Sequence, residues 1–261
     1  MSRPLEPPED EAGDVLADKI RGVLVGTACG EALGAPVDGF TRDAILRRHG
    51  RVVHRLEGSA PGALAAAARA AAEGVDGGPT GPGTALVAAI VGAVVDGGPP
   101  APGTEAEALA AVAAAHAFAA HPYQRLHARR LLEEMTRAAR TKATRAALAQ
   151  LVADAISPPS PDVAADPYLT LEAPIQAVVL TVHSLVVRPR SVEEAVVYAV
   201  NLGGEASLRG ALAGALAGAH RGASGVPERW TADIDTGGLS RLALALAKKV
   251  RGREGSAPTP L

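Results

Sequence analysis

Arg209–Gly222 reads RGALAGALAGAHRG, and Arg21–Gly34 reads RGVLVGTACGEALG. In the first stretch Gly210, Gly214, Gly218 and Gly222 recur at every fourth position; in the second Gly22, Gly26, Gly30 and Gly34 do the same. Residues four apart share one face of a helix, so each stretch predicts a helix with a bare stripe. Every glycine inside a helix costs about 0.5–1 kcal/mol relative to alanine. Close approach of two backbones would offset that cost, and tight packing in a bundle core suffices to explain both stripes. A pair of membrane helices is disfavoured, because Glu31, Arg209 and Arg221 interrupt the apolar character. If the two helices pack antiparallel, the end of one meets the start of the other, and Glu31, Asp38 and Glu205 are expected to gather there. Carboxylates brought together repel unless a cation or a shared proton intervenes.

Outward from these stripes the text is helical. The spacing predicts helices over Asp14–Pro36, Thr41–Arg48, Pro61–Glu73 and Thr84–Val95, with GVDGGPTGPG (74–83) and DGGPPAPG (96–103) as breaks. Thr104 with Glu107, and Ser191 with Glu194, are capping-box pairs that open two more helices. His121-Pro122 is expected to end the first of these. Gln124–Ile156 reads as one basic amphipathic segment closed by SPPSPDVAADP, and Pro174 suits the first turn of the next helix. The β-branched run VVLTVHSLVV (178–187) has strand propensity, yet it shows no sustained alternation and nothing nearby would pair with it. It reads as a buried helix. Gly203-Gly204 breaks the chain before the last striped helix. The expectation is an all-α single domain over 14–250, an orthogonal multi-helix bundle, with disordered tails at 1–13 and 251–261.

The composition sets limits. The chain has 261 residues, 48% of them hydrophobic, and a formal net charge of −2. That is enough apolar material for one sizeable core. A near-neutral balance and 2% aromatic residues argue against a nucleic-acid partner, which calls for a basic stripe or stacking platforms. One cysteine, Cys29, excludes an intrachain disulfide and a cysteine-rich zinc site. The acidic, proline-rich start MSRPLEPPEDE is not a signal peptide, and the apolar run near Thr84–Val95 is too short to cross a bilayer. The expected setting is a reducing cytoplasm, without membrane attachment.

Arg21–Phe40, RGVLVGTACGEALGAPVDGF, resembles the opening helix of ADP-ribosylglycohydrolases. Ser191–Trp230, with its Asn-Leu-Gly-Gly start, small-residue helix and terminal Pro-Glu-Arg-Trp, is similar to their closing region. GTALVAAIVGAVV and AAHPYQRLHARRLL match more weakly. The resemblance implies an all-α bundle with a two-metal centre, magnesium or manganese, that cleaves linkages to ADP-ribose. It also exposes departures. The family's Thr-Asp-Asp-Thr falls on Gly81, Pro82, Gly83 and Thr84. Its Gly-Gly-Asp-Thr-Asp-Thr falls on Gly203, Gly204, Glu205, Ala206, Ser207 and Leu208. The aspartate of its Gly-Asp-Ala-Leu-Gly has become Glu31, and Asp38 stands where the family often places a catalytic glutamate. The chain also falls short of a stretch that helps shape the family's ribose pocket.

Two divalent cations need several carboxylates, and only Glu205 sits at a core ligand position, with Glu31 and Asp38 nearby. The expectation is therefore no cofactor, or at most one weak magnesium or manganese site at Glu205 and Glu31. Gly203, Gly204, Ser207 and Thr84 remain as ligand-binding candidates, the glycine pair through backbone N–H groups that could cradle a phosphate. A plain helix–helix turn is the simpler reading of that pair. The sequence favours a catalytically silent relative that binds an ADP-ribose or nucleotide ligand, or a protein partner. The alternative is a working hydrolase with Asp38 or Glu31 as general base; a further one is a structural or assembly protein that kept only the fold. Of the remaining residues, His183 is expected as a hydrogen-bonded core histidine, Cys29 as inert and buried, and Trp230 as an anchor at the end of the bundle. Arg125, Arg129, Arg130, Arg137 and Arg140 form a basic face, solvated or turned toward an acidic partner.

Overall fold

A computed structural model describes residues 9–50, 60–75, 78–97 and 103–254. Among them the chain forms eleven α-helices and no strand: α1 Glu9–Gly34, α2 Arg42–His49, α3 Ala63–Glu73, α4 Pro82–Asp96, α5 Glu105–Ala119, α6 Ala128–Ala138, α7 Lys142–Ile156, α8 Ala173–Val187, α9 Val192–Asn201, α10 Ala206–Arg221 and α11 Thr236–Glu254. The fold is all-α, as expected.

The glycine stripes meet. α1 and α10 are the central pair, and a Cβ added to Gly22, Gly26 or Gly30 would overlap the carbonyl oxygen of Gly218, Gly214 or Gly210 respectively. The overlap is reciprocal, so neither helix can carry a side chain there. The pairing is antiparallel and departs from a full stripe-on-stripe match at its ends. Gly34 faces Ala206, while Gly222 leaves α10 at φ +81° beside Asp18. α1 also packs on α11 and α3, and α10 on α9, α8 and α5. The two striped helices thus form the axis around which the rest is wound.

The hydroxyl half of each capping pair forms. The Thr104 hydroxyl accepts from Glu107 N and donates to the Glu107 carboxylate, and the Ser191 hydroxyl accepts from Glu194 N. The run VVLTVHSLVV lies wholly in α8, where Val178–Val187 are all buried. Trp230 and Cys29 are buried together, the Cys29 thiol donating to Trp230 O at 3.5 Å.

Three expectations fail at boundaries. α1 begins at Glu9, so residues 9–13 are helical rather than part of a tail. α11 runs to Glu254, past the expected end of order, because Leu239, Ala243, Leu246 and Ala247 bury one face of it. Residues 1–8 and 255–261, where the rest of the expected tails fall, and part of the 96–103 break lie outside the described residues. Gln124–Ile156 is two helices. The buried Glu105 carboxylate accepts from the amides of Arg140 and Thr141 and splits α6 from α7. Burial alone would raise the Glu105 carboxyl, but those two amides and the Thr144 hydroxyl outweigh it and hold it below the usual range.

His220, buried on α10, is 3.2 Å from the His121 carbonyl. Burial first, and the neighbouring Arg221 charge second, push it from 6.5 down to about 4. A base depressed in the folded state binds its proton more readily in the unfolded chain, so stability is complete above about pH 6.5 and falls toward pH 4. The expected loss is on the order of 2 kcal/mol across that window. Urea titrations at pH 7 and pH 4.5 measure it, and His220→Gln should flatten the dependence.

Candidate functional site

The antiparallel pair does carry Glu31, Asp38 and Glu205 to one end, but not into one cluster. Glu31 is buried on α1, and both its oxygens are taken by the start of α3. Oε2 accepts from Gly62 N at 2.9 Å and Ala65 N at 2.8 Å, and Oε1 accepts from Leu64 N at 3.0 Å. A carboxylate there satisfies amides that have no partner within their own helix, and its charge suits the positive end of the helix dipole. Asp38 does the same for α10, its Oδ1 accepting from Ser207 N at 2.9 Å. Glu205 stands exposed at the N-cap of α10 and makes no side-chain cap bond. Among the described residues no group of three His, Cys, Asp or Glu side chains is placed to hold a metal ion. Two of the three are helix caps.

The glycine pair is likewise engaged. Gly203 N donates to Val200 O and Gly204 N to Phe40 O at 2.7 Å, while Gly39 N donates to Gly204 O at 2.8 Å. Both glycines have positive φ, +79° and +70°. A Cβ on Gly203 would press on the Phe40–Arg42 backbone. The doublet stitches the α9–α10 turn to the segment before α2. Its amides point at protein carbonyls, as in a plain helix–helix turn. Thr84 is buried in the first turn of α4 and its hydroxyl donates to Gly81 O at 2.8 Å.

The family's metal centre can be tested against what fills this region. A Cβ on Gly83 would lie 3.1 Å from Leu208 Cδ1 and 3.2 Å from Leu64 Cδ2. Two leucine side chains thus pack where the second aspartate of the family's Thr-Asp-Asp-Thr would project. Beneath the glycine doublet lies the buried guanidinium of Arg209, with Nη2 about 3.4 Å from the position a Gly204 Cβ would take. Burial lowers Arg209 to about 10, against the pull of the Glu205 and Asp38 charges. A divalent ion needs charged oxygens in near-octahedral array. Leucine methyls, a resident guanidinium and carboxylates spent on amides do not supply it. The residues present do not fit the metal pair.

A cavity of about 810 Å³ lies elsewhere, bounded by the start of α2, the ends of α7 and α8, and α9. None of Glu31, Asp38, Thr84, Glu205 or Ser207 lines it; Arg42, Arg125, Arg188, Arg190, Tyr198 and Asn201 do. Behind its wall is a buried polar network. Asp154 Oδ2 accepts the Tyr168 hydroxyl at 2.5 Å and is 3.3 Å from His183 Nε2. Burial lowers His183, against the raising effect of Asp154. His183 in turn stacks on Tyr198, with ring centroids 5.7 Å apart. Sequence reading placed His183 in the core but singled out neither Asp154, Tyr198 nor Arg188. Among the basic-face residues, Arg129 and Arg130 pair with Glu133 and Glu134 on their own helix, while Arg125 turns to the cavity.

No helix among the described residues is long and apolar enough to cross a membrane. No curated protein matches the chain at a significant level. Chains of solved structures do match, among them one described as an ADP-ribosylglycohydrolase-related protein complex. It is 22% identical over 90% of this chain and 99% of that one, with a TM-score of 0.46. The family model for ADP-ribosylglycohydrolase matches residues 12–64 and 54–256, which takes in both striped helices and nearly every helix between and after them. The chain belongs to the ADP-ribosylglycohydrolase family.

Proposed function

We propose that this chain is a non-hydrolysing member of its family, acting by binding an ADP-ribose- or nucleotide-type ligand or a protein partner. The packing of Leu208 and Leu64 against Gly83 carries this reading, because apolar side chains occupy the place where the family's cleavage centre needs oxygen ligands. The commitments of Glu31 and Asp38 to backbone amides support it further. A general base must be free to take a proton from water or substrate, and releasing either carboxylate would orphan a helix start.

The test has two arms. The protein incubated with an ADP-ribosylated protein and magnesium or manganese should release no ADP-ribose above a heat-killed control. Metal-dependent release, abolished by EDTA, would overturn the reading. In the second arm, about 5 mM magnesium should leave the melting temperature unchanged, whereas a specific site filled to 100 times its Kd would add about 2.7 kcal/mol of stability.

A further inference from the structure

We infer that the cavity between α2, α7, α8 and α9 is a binding site for a small phosphorylated organic molecule. The inference concerns a site remote from the family's cleavage centre and does not depend on whether that centre is active. Its volume, about 810 Å³, lies in the range of small-molecule sites. Its charge is lopsided. Four arginines line it, Arg42, Arg125, Arg188 and Arg190, against two carboxylates, Glu193 and Glu194. Arg229 pairs with Glu193, and Arg42 is partly held by Asp162 at 3.1 Å and by the Asn201 carbonyl at 3.0 Å. Arg125, Arg188 and Arg190 form no ion pair with any described residue. Three arginines that share one concavity without an ion-pair partner among the described residues repel one another, and an anion entering there relieves that cost. The guanidinium fork matches phosphate oxygens two at a time.

The floor of the cavity points the same way. Tyr198 and Asn201 are 92% and 95% buried (relative exposures of 8% and 5%). The Tyr198 hydroxyl and the Asn201 side-chain oxygen have no hydrogen-bond partner among the described residues, and both residues line the cavity. Buried polar atoms are nearly always paired; these two are shielded from solvent, so a ligand's donors would reach them only with a small shift of the floor. Arg188 is not loose: its guanidinium lies 5.1 Å from the centre of the Tyr198 ring, which is itself fixed against His183. The lining also has an apolar part, Val186, Val187, Val197, Pro158 and Pro161. A phosphate on the arginines carrying an uncharged organic body against the apolar residues uses both kinds of lining. Free inorganic phosphate would use only one.

The experiment is calorimetric titration of the full chain with AMP, adenosine and pyrophosphate, repeated on Arg188→Gln, Arg125→Gln and Glu205→Ala. AMP is expected to bind saturably. Adenosine should bind at least tenfold more weakly for lack of the anion, and pyrophosphate more weakly for lack of the body. Arg188→Gln and Arg125→Gln should each weaken AMP at least tenfold, about 1.4 kcal/mol, at an unchanged melting temperature. Glu205→Ala should leave AMP binding as it was. Saturable binding by neither AMP nor pyrophosphate overturns the inference, as does AMP affinity indifferent to both arginine changes. AMP binding lost in Glu205→Ala but kept in the arginine variants would move the ligand to the family's centre and also overturn it. Metal-dependent ADP-ribose release with these titrations intact would overturn only the non-hydrolysing reading.

Discussion

Alanine at Gly26 together with alanine at Gly214 is expected to lower the melting temperature by several degrees or to prevent folding. Each added methyl would overlap the opposite helix's backbone carbonyl at well under 3.0 Å, a separation that real Cβ atoms do not show. Backbone cannot swing aside as a flexible side chain can, so α1 and α10 must move apart as rigid bodies. Small-to-large changes in a filled core cost about 1–3 kcal/mol and sometimes more, and here the gain in helix propensity, up to about 1 kcal/mol per site, opposes only part of that. A chain of this size loses about 2–4 °C per kcal/mol. The two sites face each other, so their costs should not add: the first alanine already opens the gap the second would need. Gly92→Ala is the internal control. Gly92 lies within α4 with nothing inside 4 Å of an added methyl, and the same substitution there should raise stability by about 0.5–1 kcal/mol. If Gly26→Ala and Gly92→Ala behaved alike in thermal melts, the close helix contact would not be what holds the bundle.

That contact was the most legible feature of the chain, because a four-residue glycine period has few other physical uses in a helix interrupted by charges. The capping pairs were legible for a similar reason: hydroxyl and amide are three residues apart and form their bond locally. α11 has a buried set, Leu239, Ala243, Leu246 and Ala247, at helical spacing, but Gly237, Gly238 and the basic KKVRGR text obscure its start and end in the sequence. The break between α6 and α7 had no comparable signal. It depends on Glu105, which reaches the amides of Arg140 and Thr141 from across 35 or more residues.

The candidate site was legible in its residue types and illegible in its contacts. Counting carboxylates at the family's ligand positions identified which oxygens were missing. It could not tell that Leu64, from α3, would join Leu208 against Gly83, since nothing in the sequence links those three residues. The same holds for the arginine-lined cavity. Arg42 comes from α2, Arg125 from the segment before α6, and Arg188 and Arg190 from the turn after α8. No window of sequence contains them all, and in the basic stretch 125–140 Arg129 and Arg130 are paired on the surface of their own helix. Motif reading finds chemistry that is local in the chain. In this fold the residues at the family's motif positions serve helix caps and turns, while the arginines of the cavity come from three separate segments.

The reuse of Glu31 gives the sharpest distinction between a catalytic and a structural carboxylate. Glu31→Ala leaves the amides of Gly62, Leu64 and Ala65 without their acceptor at a partly buried helix start. Loss of an N-cap costs about 0.5–2 kcal/mol, and a charged acceptor about doubles the strength of such bonds, so about 3 kcal/mol is expected, or roughly 6–12 °C in melting temperature. Glu31→Gln keeps one carbonyl oxygen and loses the charge, and should fall between the alanine variant and the parent. Hydrogen exchange makes the effect local: the amides of Leu64 and Ala65 should lose protection in Glu31→Ala, while those in the middle of α10 follow only the global change. A general base would behave in the opposite way. Removing a carboxylate held ready for chemistry relieves desolvation and repulsion, so Glu31→Ala would then be neutral or stabilising. A melting temperature that holds or rises in the alanine variant, with α3 amides still protected, would mean that Glu31 is not the cap of α3 and would return it to the catalytic candidates.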